Sequence, residues 1–179
     1  MLLLLAALLV AADQWTKAWS ASTFRAGGSL PVGLGFNFTY VENTGAAFGI
    51  LRNVSFNVFG LNVDGVVLLG ILSLVVSVLL VWFIVRHSGT VSRLTRIALA
   101  LLLAGAAGNM IDRLLHRYVI DFIHFQWGNF NFPVFNVADI CVVVGAGLLL
   151  LSGFTDRTDA AVRPGQQASG NGADRVGQR

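Results

Sequence analysis

Four long apolar stretches divide this chain, at about 2–21, 63–85, 97–115 and 137–154, each long enough to cross the hydrocarbon of a bilayer as a helix. The first opens on Leu2 to Ala12, almost wholly aliphatic, and Trp15, Ala18 and Trp19 carry it onward. Small residues at Ala11 and Ala12 suit a leader cleavage site, but no Lys or Arg precedes the run, which favours a retained helix. Between the first two stretches, 22–62 is polar and rich in Gly and Asn. Its 35–41 portion alternates aromatic with polar residues, the pattern of a half-buried strand. Asn43-Thr44-Gly45 marks a turn, and 46–51 is apolar enough to dip back toward the bilayer. Segment 116–136 interleaves Phe122, Phe125, Trp127, Phe130 and Phe132 with His, Gln and Asn, the composition of a loop lying among lipid headgroups. Beyond 154 there is almost nothing to bury, and 155–179 is expected to be a disordered tail. The pattern predicts an all-α membrane protein, a four-transmembrane-helix bundle over 1–154 with a small extracytoplasmic β element and outer loops.

Composition supports that reading: 55% of the residues are hydrophobic and 12% charged, and the mean hydropathy of +0.73 is not that of a soluble domain. Charge adds orientation. Arg86, His87, Arg93 and Arg96 surround the link between the second and third stretches without an acid, which places that link, and with it both termini, in the cytoplasm. The twelve basic residues form no run that would serve as a nucleic-acid patch. The one cysteine, Cys141, is expected to be a core residue, and His87, His116 and His124 lie too far apart in sequence for a metal-ligand motif. Neither metal nor cofactor is expected.

The candidate chemistry lies between Gly105 and Asp139. Asn109, Asp112, Arg113 and His116 fall at i, i+3, i+4 and i+7, so a helix gathers them on one polar face, just after the small residues Ala104 to Gly108 that allow close helix packing. Asp121 follows the third stretch and Asp139 lies about one turn into the fourth, so an antiparallel hairpin brings both carboxylates to the outer rim. At about 4 Å and an effective dielectric near 20 their repulsion is roughly 4 kcal/mol, about three pKa units, so one holds its proton at neutral pH. An acid beside a base can hydrolyse a peptide without a metal. Each residue also has a plainer role. Asn136-Val137-Ala138-Asp139 has capping-box spacing, Asp112 and Arg113 make a plausible ion pair, and Asp13 and Lys17 at i, i+4 suit a snorkelling pair at a helix end.

Five motifs in order, Asp13-Gln14-Trp15-Thr16-Lys17, Asn43-Thr44-Gly45-Ala46-Ala47-Phe48, Gly108-Asn109-Met110-Ile111-Asp112-Arg113, Val119-Ile120-Asp121-Phe122 and Phe135-Asn136-Val137-Ala138-Asp139, resemble those of the bacterial lipoprotein signal peptidases, or signal peptidase II. The resemblance covers 1 to about 154. Ala104 stands where the family often has a glycine, and no basic residue precedes Leu2. The resemblance implies Asp121 and Asp139 as catalytic aspartates. It implies Asn43, Asn109, Arg113 and Asn136 as residues lining the substrate site, and Asp13, Lys17 and Asp112 as positioning or structural residues. It also implies an aspartic endopeptidase of the bacterial inner membrane, acting as a monomer near the outer face. Its partners are then membrane lipid and diacylglyceryl-modified prolipoproteins, cut just before the lipidated cysteine. Two other classes compete: a small proton-coupled carrier using Asp112, Asp121 and Asp139 as a relay, and a non-catalytic membrane scaffold.

Overall fold

A computed structural model of the chain describes residues 1–45, 54–58, 61–87 and 89–162, leaving aside the side chains of 58, 61–62 and 155–162. Four helices, α1 (Leu2–Phe24), α2 (Gly65–His87), α3 (Arg93–His116) and α4 (Val137–Val162), carry the fold. Each contains a stretch long and apolar enough to cross a membrane, the span in α4 being Val137–Phe154. The helix α4 runs on to Val162, eight residues past the expected end; the rest of the expected tail, and the 46–51 dip, lie outside the described residues. The basic link is shorter than the sequence suggests. Arg93 and Arg96 already belong to the first turn of α3, whose start is capped by the Ser92 hydroxyl accepting from the Thr95 amide at 3.2 Å.

The helix α3 is central and packs on all three others. Glycines allow the closest approach: a Cβ on Gly105 would stand 2.5 Å from the Ala138 carbonyl oxygen, and one on Gly145 would stand 3.0 Å from that of Ala98. Ala6, Ile84, Leu99, Leu103, Ala104 and Cys141 form the buried core at this level. The outward faces of α2 and α4 expose Leu72, Val78, Val143 and Leu150, as helices facing lipid do.

The description "all-α" needs correction. At the end of the bundle where α1 and α3 finish and α2 and α4 begin lies an antiparallel four-stranded sheet, β1 (Leu30–Gly33), β2 (Phe36–Asn43), β5 (Val119–Trp127) and β6 (Phe130–Asn131), in that spatial order. A separate hairpin pairs β3 (Ser55–Val58) with β4 (Leu61–Asp64). Strand β2 contains most of the stretch expected to be extended. By contrast, much of the expected headgroup loop at 116–136 is strand, because β5 pairs along β2, Asn43 opposite Val119 and Phe36 opposite Phe125. The Ser20 hydroxyl donates to the Thr39 carbonyl at 2.8 Å and ties the sheet to α1.

Candidate active site

Strand β5 alternates in the usual way, so Asp121 and Ile120 point to opposite faces of the sheet. Asp121 is 2% exposed. Its Oδ2 accepts from Asn43 Nδ2 at 2.9 Å and its Oδ1 from Asn136 Nδ2 at 2.7 Å. Asp139, in the first turn of α4, accepts from Asn109 Nδ2 at 2.8 Å through Oδ1 and from the Asn136 amide at 3.2 Å through Oδ2. Asn136 Nδ2 also donates to Asn109 Oδ1 at 3.1 Å. The two carboxylates are thus joined through two side-chain amides, buried Asn136 and half-buried Asn109. Burial pushes Asp121 up to about 7 from its ordinary 3.8, and the Asp139 charge adds to the rise. Hydrogen bonds from Asn43 and Asn136, and the Lys17 charge, oppose it.

Asn136, fully buried, makes the capping box that its spacing suggested and also reaches Asp121 and Asn109. Its Oδ1 accepts from the Asp139 amide at 2.9 Å while Asp139 accepts from the Asn136 amide, a reciprocal capping box. The cap and the carboxylate cluster are one arrangement: holding the start of α4 also sets Asp139 opposite Asn109.

Behind this cluster lies a second one. Lys17 Nζ, 1% exposed, lies 2.8 Å from Asp13 Oδ2, 3.0 Å from Asp112 Oδ2 and 3.1 Å from Asn109 Oδ1. Asp13 Oδ1 accepts from the Ala138 amide at 2.9 Å and Asp112 Oδ2 from the Ile120 amide at 3.0 Å. The lysine and its two acids therefore clamp the start of α4 and the start of β5 onto α1 and α3. An ammonium can face only the oxygen of an amide, so Lys17 fixes which end of Asn109 is turned to Asp139. The Asp13–Lys17 pair is not a snorkelling pair, because a second carboxylate, Asp112 on α3, encloses it. A Cβ on Gly108 would stand 2.7 Å from Asp13 Oδ2, which leaves little choice of residue there.

The polar face expected on α3 is divided. Successive helical residues turn by about 100°, so Asp112 and Arg113 stand at the two edges of that face. Asn109 and Arg113 turn toward Asp121 and Asp139, where Arg113 Nη2 donates to the Gly45 carbonyl at 3.3 Å and holds the chain just after β2. Asp112 turns to Lys17, and exposed His116 stacks on Tyr118 instead, with ring centroids 5.8 Å apart. Gln14 was not foreseen. Its Nε2 donates to Asp112 Oδ1 at 2.9 Å and to the Gly108 carbonyl at 3.2 Å, and its advance signals were its place in the Asp13–Lys17 motif and its one-turn spacing to Lys17. Among the described residues no three of His, Cys, Asp and Glu are grouped to hold a metal ion.

Comparison with known proteins identifies the family. The family described as Signal peptidase (SPase) II matches residues 5–155. A lipoprotein signal peptidase of Pasteurella multocida is 42% identical over 136 residues, 75% of this chain and 74% of that protein. One from Symbiobacterium thermophilum is 41% identical over 150 residues, 83% and 91% of the two chains. A bacterial membrane enzyme solved by the in meso method at 2.3 Å resolution is 32% identical, with a TM-score of 0.73 over 88% of this chain and 90% of that one. With a family match that takes in all four membrane-crossing stretches and every residue of the two polar clusters, this chain is a multi-pass membrane peptidase of the signal peptidase II family.

Proposed function

We propose that this protein removes signal peptides from diacylglyceryl-modified prolipoproteins, cutting just before the lipidated cysteine with Asp121 and Asp139 as its catalytic pair. The observation that carries the reading is the joining of two carboxylates, buried Asp121 on β5 and half-buried Asp139 on α4, through Asn136 and Asn109. The pair holds one proton between its members near neutral pH. The ionised member takes a proton from water as the water oxygen attacks the scissile carbonyl; the protonated member donates to the carbonyl oxygen as the tetrahedral intermediate forms. When that intermediate collapses, the C–N bond breaks and a proton passes to the leaving amine. Asn43, Asn109, Asn136 and Arg113 surround the peptide, and Asp13, Lys17 and Asp112 position the pair.

A prolipoprotein presents a spanning segment with a lipid at its outer end, so its scissile bond comes to headgroup depth, where the sheet meets the bundle. In this reading the protein lies in the bacterial inner membrane as a monomer, with cytoplasmic termini and the pair near the outer face. A proton-coupled carrier lacks support, since α2 has no acidic or basic residue before Arg86 and α4 has none between Asp139 and Asp156. The test is incubation of the purified protein with one prolipoprotein, with and without its diacylglyceryl group, after exhaustive chelation. Cleavage of the lipidated form at the residue before its cysteine is expected. Cleavage that needs added zinc, or that ignores the lipid, contradicts the reading.

A further inference from the structure

On the face of the sheet away from Asp121 lies a cavity of about 320 Å³ between the outer halves of α1 and α3. Its α1 wall is a single helical stripe, Gln14, Ala18, Ala21 and Arg25 at i, i+4, i+7 and i+11, in which the two alanines leave the space. Tyr40 of β2 and Tyr118 roof it, and His116 closes the α3 side. Lys17 and Asp112 form the floor, but their charges are already paired there with each other and with Asp13. The donors that can meet a ligand are therefore at the rim, where the Tyr40 hydroxyl donates to Glu42 Oε1 at 2.8 Å and Arg25 Nη2 lies 3.5 Å from the same oxygen, so that a ligand there displaces Glu42. Arg25 Nη2 lies 3.3 Å from the Tyr118 hydroxyl, and the Tyr118 and Tyr40 hydroxyls lie 3.3 Å apart.

We propose that this cavity is a binding site for the phosphodiester headgroup of a membrane phospholipid, separate from the substrate's approach to the dyad. Depth is the first reason. Arg25 follows the last residue of α1 and His116 is the last of α3, so a guanidinium, an imidazole and two phenols gather where two spanning helices leave the hydrocarbon. Shape is the second. Trp15 and Leu115, next in sequence to the lining residues Gln14 and His116, are 71% and 70% exposed, apolar surface available to acyl chains. Charge is the third. Arg25 has one carboxylate partner among the described residues, Glu42 at 3.5 Å, and that pair is exposed enough to be weak. A phosphate can replace Glu42 on a planar guanidinium fork with a better-matched, charge-assisted contact. Burial and its bonds to Tyr118 and Glu42 hold the Tyr40 phenol protonated well above the usual range, so it remains a donor. None of these residues touches Asp121 or Asp139, so the site depends on the membrane-spanning frame and not on the catalytic reading.

The test is native mass spectrometry of the full-length protein released from detergent micelles, with dioleoyl phosphatidylglycerol as probe. Dioleoylglycerol supplies the same chains without phosphate, and inorganic phosphate supplies the anion without chains. The wild type is expected to retain one phospholipid in preference to dioleoylglycerol, with inorganic phosphate failing to compete. Arg25→Gln should weaken retention about tenfold, equal to about 1.4 kcal/mol. Filling the cavity with Ala18→Phe should weaken it similarly, and Glu42→Gln, which frees the guanidinium, should strengthen it. Circular dichroism checks that each variant is folded, and any one that is not is replaced by Tyr118→Phe, for which weaker retention is expected. Equal retention of dioleoylglycerol, competition by inorganic phosphate, or wild-type retention by both Arg25→Gln and Ala18→Phe overturns the proposal.

Discussion

Lys17→Met removes the cation from a cluster where no water can replace it. Lys17, Asp13 and Asp112 are each 1% exposed, and the ammonium lies 2.8 and 3.0 Å from the two carboxylates. Breaking a buried ion pair by deleting one partner costs about 3–5 kcal/mol, because the remaining charge is left uncompensated. Here two acids are left, although Asp13 keeps the Ala138 amide and Asp112 keeps the Ile120 amide and Gln14, so the same range is expected. For a chain of this size that is a fall in unfolding midpoint on the order of 10 °C. Thermal unfolding in detergent micelles, followed by far-UV circular dichroism, reads it. Adding Asp13→Asn and Asp112→Asn to Lys17→Met should return much of the loss, since the acids cause it. At temperatures well below melting, kcat should also fall with KM little changed, because Asn109 loses the contact that orients it toward Asp139. A Lys17→Met protein within about 1 kcal/mol of wild type, where only exposed pairs usually lie, would refute the view that this cluster holds α4 and β5 in place.

The remaining predictions test packing, titration and orientation. Gly105→Ala, whose Cβ would meet the Ala138 carbonyl oxygen at 2.5 Å, should cost about 1–3 kcal/mol in thermal unfolding. Gly147→Ala, with nothing within 4 Å, should be neutral or stabilising by up to about 1 kcal/mol. Because Asp121 is held near 7, its protonated form stabilises the fold fully below about pH 4, and that contribution is lost as pH rises through 7. The unfolding midpoint should therefore decline between those values, more steeply in wild type than in Asp121→Asn; parallel curves would show that Asp121 titrates normally. Single cysteines at Gly89 and at Ser29 or Asn129, in a Cys141→Ala background, should be shielded and labelled respectively by an impermeant thiol reagent in intact cells. The reverse pattern would put the carboxylates on the cytoplasmic side.

Helix positions were legible because each apolar stretch is long and continuous. The glycine-rich approach of α3 to α4 could be read from small residues at 104–108. The sheet was only half legible. Phe36 to Asn43 alternates visibly, but its partner β5 lies far along the chain. The start of β5, Val-Ile-Asp-Phe, is buried on both faces and shows no alternation, so its aromatic residues resembled a headgroup loop. Asp121 and Asp139 stood out as acids beside apolar helices. The convergence of Asp13, Lys17, Gln14 and Asp112 could not be read locally, because it depends on α1 and α3 running side by side in the same direction. For the same reason the α3 polar face looked like one site, although its edges face the Asp121–Asp139 pair on one flank and the α1 cavity on the other.

The most direct test of the catalytic reading is single-turnover cleavage of a lipidated prolipoprotein by wild type, Asp121→Asn and Asp139→Asn, each shown to be folded in the same micelles. An amide can serve as neither base nor acid, so each variant should lose at least about 100-fold in rate, the contribution expected of a positioned acid or base. Cleavage by either folded variant at a rate close to wild type would contradict a mechanism built on this pair.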